Sequence, residues 1–146
     1  MHPQIATLLA SQGGVASASQ LIGVGVSRYV LRRLVARKEL VRLPRGIIVD
    51  PDVWQQAAPW ERHALRARGL MAGESGAADR LVALSHHSAL SLCGVALYGV
   101  DERIHIVRTD GRRSRSDDFV QCHQAVADDQ VHERDGVRLV VPELAV

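Results

Sequence analysis

The stretch Gly23-Val24-Gly25-Val26-Ser27-Arg28-Tyr29-Val30-Leu31-Arg32-Arg33-Leu34-Val35-Ala36-Arg37-Lys38-Glu39-Leu40-Val41-Arg42-Leu43-Pro44-Arg45-Gly46-Ile47-Ile48-Val49 decides how the first third of the chain folds. Gly23 to Val26 reads as a tight turn. Ser27 is a good N-cap for the helix that follows, because its hydroxyl can accept an N–H that the first helical turn leaves unpaired. That helix is expected to run to about Lys38. Leu31, Leu34 and Val35 share one face with Val30 beside them, and Arg28, Tyr29, Arg32, Arg33, Ala36 and Arg37 take the opposite side. Leu40-Val41-Arg42-Leu43 then alternates as a strand does, Pro44-Arg45-Gly46 turns, and Ile47-Ile48-Val49 returns.

Upstream, Ile5, Leu8 and Leu9 lie at helical spacing between Pro3 and Ala10, and Gly13-Gly14 ends that helix. A second short helix is expected over about Ala18 to Ile22, with Ser17 or Ser19 as its cap. Three helices followed by a β-hairpin is the order of a winged helix-turn-helix. In that arrangement the third helix enters the major groove and the wing lies along the backbone.

Charge points the same way. Residues 1–48 hold seven Lys/Arg (Arg28, Arg32, Arg33, Arg37, Lys38, Arg42, Arg45) against Glu39 alone, a formal +6. The remaining residues hold 11 basic and 15 acidic side chains, −4, so the net +2 of the 146-residue chain hides a basic head. Basic residues gathered on a helix and an adjacent ribbon are the footprint of a phosphate-binding surface. A solvated helix face is the competing reading of the charge, and the order of elements favours DNA. Arg28 and Arg32, four residues apart at the start of the helix, are placed to read base edges, since Arg can grip guanine O6 and N7 together. Tyr29 and Arg33 flank that row and join the base-reading set. Ser27, Arg37, Lys38, Arg42 and Arg45 are better placed for phosphates, which fix register without reading sequence.

The rest of the chain is less explicit. Residues 51–58 read as a polar, Pro-interrupted linker between a DNA-binding domain at 1–50 and a small α/β domain at 59–146. Within the latter, helices are expected from Pro59 to about Ala72, over Asp79 to Ala83, and after Ser85, with Gly94 closing the last. Strands are expected at 103–107, 119–123 and 137–141, with Val126 to Asp135 acidic and irregular. Arg112, Arg113 and Arg115, in the loop before the second strand, are further candidates for phosphate contact. Pro142 to Val146 reads as the first turn of a helix with nothing after it, the expectation being a truncated form of a longer parent. The fold class is therefore α+β: an N-terminal winged helix-turn-helix followed by a small mixed domain.

No run approaches the ~18 apolar residues of a membrane span, and the N-terminus lacks the pattern of a signal peptide. Cys93 and Cys122 have no C-x-x-C spacing and read as small buried residues of a cytoplasmic protein, with a disulfide between them left open. The histidines invite a metal reading, because His86-His87, His105 and His123 could converge. Adjacent helical histidines point about 100 degrees apart, and no carboxylate or cysteine completes a recognised spacing. A histidine bonded to the neighbouring sheet is therefore favoured, with no metal and no cofactor. A nuclease would need paired carboxylates and a lysine near a strand end. The single lysine is Lys38, and Asp117-Asp118 and Asp128-Asp129 read as solvated loop charges. No enzyme is expected.

Gly25-Val26-Ser27, Leu31, Leu34-Val35 and Leu40 to Ile47 together resemble the N-terminal domain of AbiEi-type antitoxins. Leu84-Ser85-His86-His87-Ser88-Ala89-Leu90 with Gly94-Val95 is similar to a Ser-His-x-Ser-Ala…Gly segment of actinobacterial members, and Asp135-Gly136-Val137 to Val141-Pro142 resembles the strand that follows it. Ile48 and Cys93 depart from the aromatic and the histidine that many members carry. The resemblance implies a DNA-binding repressor of its own operon in a type IV toxin–antitoxin pair. Its partners would be its operator in double-stranded DNA and, functionally, a nucleotidyltransferase-like toxin that it need not touch. Homodimerisation is left open. A fragment of a nuclease-related protein and a winged-helix protein-interaction module are the alternatives.

Overall fold

The computed structural model of the chain describes residues 2–74, 82–110, 116–124 and 126–140. Helix α1 (Pro3–Ser11), strand β1 (Val15–Ser17), helices α2 (Ala18–Gly23) and α3 (Arg28–Ala36), and strands β2 (Val41–Leu43) and β3 (Ile47–Val49) make up the first unit. The three expected helices and the hairpin are present. β1, which the sequence reading missed, is only three residues long, and Ser17 both ends it and caps α2. The Ser17 hydroxyl accepts the Gln20 N–H at 3.1 Å while the Gln20 side chain accepts the Ser17 N–H at 3.1 Å, a reciprocal cap. α3 stops two residues before the expected Lys38, because Lys38 takes a left-handed φ of 60°. Its N–H reaches the Val35 carbonyl at 3.0 Å and closes the helix end.

β3 is the centre of a three-stranded antiparallel sheet of order β1-β3-β2, pairing Val15 with Val49 on one side and Val41 with Val49 on the other. Its run Ile47-Ile48-Val49 is fully buried. Successive side chains leave a strand on opposite faces, so two cores meet across it. Ile48 and Ala16 join Ile5, Leu9, Leu21, Leu31 and Leu40 beneath the three helices, and Val15, Ile47 and Val49 join the second cluster.

That second cluster is built on α5 (Pro59–Glu74), which packs against β1 and β3. Between the two lies α4 (Pro51–Gln56), where a linker was expected: Asp50 Oδ1 accepts the Asp52 and Val53 N–H groups at 2.8 and 3.4 Å and starts a helix. Gly69 makes the approach of α5 possible. A Cβ there would fall 2.4 Å from Ile47 Cγ2 and 3.0 Å from Val15 Cγ2. The core therefore does not stop at residue 50. It continues from Ile47 through Leu65, Leu70 and Met71 into the second sheet.

The second sheet has the order β6-β5-β4-β8-β7, from β4 (Val82–Leu84), β5 (Ile104–Arg108), β6 (Val120–Cys122), β7 (Val131–Arg134) and β8 (Val137–Val140). β4 pairs antiparallel with β5 and parallel with β8, β5 parallel with β6, and β7 antiparallel with β8. Helix α6 (His86–Ser91) packs on β5 and β8. Two expectations are corrected. Val82-Ala83, read as helical, lies in β4, while residues 79–81 fall outside the described set. The segment read as irregular holds β7, whose hairpin with β8 turns on Asp135 (φ 52°) and Gly136 (φ 78°), the positive pair that a two-residue turn requires. Ser85 occupies the cap position of α6, yet makes no capping hydrogen bond; its hydroxyl lies 3.1 Å from His86 Nδ1 instead. No helix among the described residues is long and apolar enough to cross a membrane.

Candidate nucleic-acid interface

α3 is amphipathic by construction. Leu31 is buried at 2% exposure, and Val30, Leu34 and Val35 pack beside it against Ile5, Leu9 and Leu21. Full burial of a side chain such as Leu31 contributes roughly 1.5–3 kcal/mol, and its partly buried neighbours add to it, enough to fix which face looks out. Arg28, Tyr29, Arg32, Arg33 and Arg37 are all exposed, with Tyr29 at 67%. The Ser27 hydroxyl accepts the Val30 N–H at 3.1 Å, capping the helix as expected. As a hydroxyl it keeps its own proton free to donate. Lys38 and Arg42 are exposed as well.

None of Arg28, Arg32, Arg33, Arg37, Lys38 and Arg42 has an ion pair or side-chain hydrogen bond among the described residues. Five cations of one helix and its end, and one of the adjacent strand, thus form a surface without internal compensation. Arg45 differs. At the tip of the hairpin, with φ 66°, it is ion-paired to Asp117 in the segment leading to β6. The Asp117 carboxylate also accepts the Phe119 and Val120 N–H groups, each at 2.8 Å. Those two bonds, with the Arg45 guanidinium, hold its carboxyl below the ordinary range. Asp117 had read as a solvated loop charge. Only its position at the entrance to a strand could have signalled the contact. Arg112, Arg113 and Arg115 lie outside the described residues.

A second constellation sits at the other sheet. His105 Nδ1 on β5 and His123 Nε2, just past β6, are 2.5 Å apart, and the His86 and His123 rings stack at 3.9 Å between centroids. The ligand nitrogens of His86, His105 and His123 all lie within 4.8 Å of one another. His87 packs edge-on against His105 at 4.3 Å between centroids with its Nε2 donating to the Asp101 carbonyl at 2.8 Å, and His63 Nε2 meets the buried Ser88 hydroxyl at 2.9 Å. The divergence of adjacent helical histidines holds for His86 and His87. The convergence that the sequence leaves open, and that the reading set aside, is realised through the parallel pairing of β5 with β6, which brings His105 and His123 to His86. Burial lowers His63 and His105 to about 4 and lowers His86 and His123 from the ordinary value, so all four rings are neutral at pH 7. Asp101 Oδ2 lies 3.2 Å from His105 Nε2. Hydrogen bonds from the Arg103 side chain and backbone keep Asp101 ionised far below its usual range.

Residues 3–47 match a family of transcriptional regulators. The family is that of the AbiEi antitoxins, to which this N-terminal stretch is similar. The match covers α1 to the start of β3, including all of α3 and the hairpin turn, and leaves the histidine constellation outside. No curated protein gives a significant match to the chain.

Proposed function

We propose that the chain is a winged helix-turn-helix protein that binds double-stranded DNA sequence-specifically and represses its own operon as the antitoxin of a type IV toxin–antitoxin pair. The observation that carries this reading is the uncompensated cationic face of α3. Six exposed cations on α3, its C-terminal end and β2 have no internal partner among the described residues, and the similarity of residues 3–47 to a family of transcriptional regulators supports the reading. Arg28 and Arg32 read base edges with Tyr29 and Arg33 beside them, and Ser27, Arg37, Lys38 and Arg42 hold phosphates. The protein acts by occupancy, without cleaving DNA, and need not touch the toxin it opposes.

The test is binding of fluorescent DNA from upstream of the protein's own gene, against random DNA of equal length, across a salt series. Tighter binding to the upstream DNA is expected, with log K falling linearly in log salt at about 0.9 per phosphate contact. Equal affinity for both sequences would remove the base-reading role. Cleavage products in the presence of Mg²⁺ would move the protein to the nuclease class.

A further inference from the structure

We propose that His86, His105 and His123 bind a single first-row divalent metal ion, Zn²⁺ before others, with an exchangeable ligand completing the coordination. His105 contributes Nδ1. An ionised carboxylate accepts hydrogen bonds and donates none, so Asp101 Oδ2 at 3.2 Å places the His105 proton on Nε2. The Nδ1 lone pair then faces His123 Nε2 at 2.5 Å. That separation is shorter than the ~2.7–3.2 Å of an ordinary N–H hydrogen bond, and the two rings part slightly when an ion comes between them. Carboxylate, histidine and metal in series is the usual way a ligand ring is oriented and its basicity raised. Asp101 is itself held by Arg103, whose Nε lies 2.8 Å from the same oxygen.

His86 supplies the third nitrogen. Its Nδ1 lies 3.1 Å from the Ser85 hydroxyl, which leaves Nε2 to ligate. His86 also holds φ at 50°, a left-handed conformation that a residue with a Cβ adopts at a cost. Such strain collects at functional sites, and here it falls on the ring that meets the other two. Zn–N bonds of about 2.0–2.1 Å in a tetrahedron set ligand nitrogens roughly 3.4 Å apart. The three nitrogens, all within 4.8 Å, reach that spacing by small ring rotations. Three imidazoles suit Zn²⁺, Cu²⁺ or Ni²⁺ and not Mg²⁺ or Ca²⁺. Cys122 is not part of the set, since its thiol is directed to the His123 carbonyl at 3.6 Å. The ion would tie the start of α6, the middle of β5 and the end of β6 into one clamp, and the proposal is independent of DNA binding.

The experiment uses the full chain without a histidine tag, stripped of metal and titrated with Co²⁺. We expect one equivalent of Co²⁺ to develop visible d–d bands of low-coordinate geometry without a thiolate charge-transfer band, and Zn²⁺ to displace it. His123→Gln and His86→Gln should each weaken binding by about 100-fold or more, and Asp101→Asn by ~10–100-fold. His132→Gln, on the exposed β7, should leave it unchanged, and circular dichroism of each metal-free variant checks that it folds. On the unmodified chain, ¹⁵N spectra of the imidazoles should show Zn²⁺ shifting three histidines while His105 keeps its proton on Nε2. Absence of saturable one-equivalent binding at micromolar metal would overturn the proposal, as would binding that survives both ligand substitutions or spectra in which His86, His105 and His123 do not move.

Discussion

Arginine does two different things in this chain. On α3 and β2, Arg28, Arg32, Arg33, Arg37 and Arg42 stand in solvent with no partner among the described residues. In the second unit the same side chain is repeatedly neutralised. Arg103 bonds Asp101 and Gln121, Arg108 bonds Asp110 at 2.6 Å, Arg68 lies 3.9 Å from Asp135, and Arg62 donates to the Trp54 carbonyl and sits over its ring. The contrast teaches that composition is a poor guide to a binding surface. What marks one is charge left without an internal partner, because an arginine already paired must give up that pair before it can take a phosphate. Arg45 is the point where the two regimes meet, a head arginine held by a carboxylate of the second unit.

The sharpest way to break the comparison is to ask whether the two regions are separable at all. Gly69→Ala places a methyl group 2.4 Å from Ile47 Cγ2, on the strand shared by both cores. We expect a loss of about 1–3 kcal/mol in stability, as for other overpacked interiors, read by urea unfolding. One cooperative transition followed by Trp fluorescence and by far-UV dichroism should shift as a whole. A second transition that stays in place would show the first unit folding on its own, and the contrast would then be one between independent domains.

How much of this was legible in the sequence depends on what each element leaves in the pattern. α3 was readable because Leu31, Leu34 and Val35 recur at helical spacing behind a serine cap, and the hairpin because Pro44-Arg45-Gly46 separates two apolar runs. β1 and β4 were not, since three residues carry no period. The continuity of core past residue 50 had a signal that went unused. Ile47-Ile48-Val49 has no polar alternate, and a strand apolar on both faces must be covered on both. β7 is exposed and polar at His132-Glu133-Arg134, yet Asp135-Gly136 announces its hairpin. That Arg28, Tyr29, Arg32, Arg33 and Arg37 share the outward side of α3 was legible from the helical spacing. The partner of Arg45 was not, because it depends on a contact between segments far apart in the chain, and the convergence of the histidines was legible only as one option, since which of His86 and His87 joins the strand pair depends on how α6 is set on the sheet.

On the uncompensated side, Arg28→Ala or Arg32→Ala is expected to cost about 1–3 kcal/mol on upstream DNA and to relax preference at one base position. Loss of the same size on random DNA would make these residues phosphate holders and remove the base-reading role. At the meeting point, Asp117→Asn removes the charge that holds Arg45 while keeping an oxygen for the Phe119 and Val120 N–H groups. Freed, Arg45 should add one phosphate contact, steepening the salt dependence by about 0.9 and tightening binding several-fold at low salt. Arg45→Ala in the same background should cancel the gain. A salt slope unmoved by Asp117→Asn would place Arg45 off the DNA.

The smallest expected effect separates folding from binding within the cationic set itself. Lys38 ends α3 in a left-handed conformation, φ 60°, which costs an L-residue roughly 1–2 kcal/mol and glycine almost nothing. Glycine also gives the unfolded chain more freedom, an opposing cost of about 0.5–1 kcal/mol. Lys38→Gly should therefore stabilise the protein by roughly 0.5 kcal/mol in urea unfolding. It also deletes an exposed cation that has no internal partner among the described residues, so DNA affinity should fall about equally on all sequences as one phosphate contact disappears. A variant that is both more stable and weaker in binding would show a residue kept for its charge against its backbone preference. A variant more stable and unchanged on DNA would confine the phosphate face to the first turns of α3 and the wing.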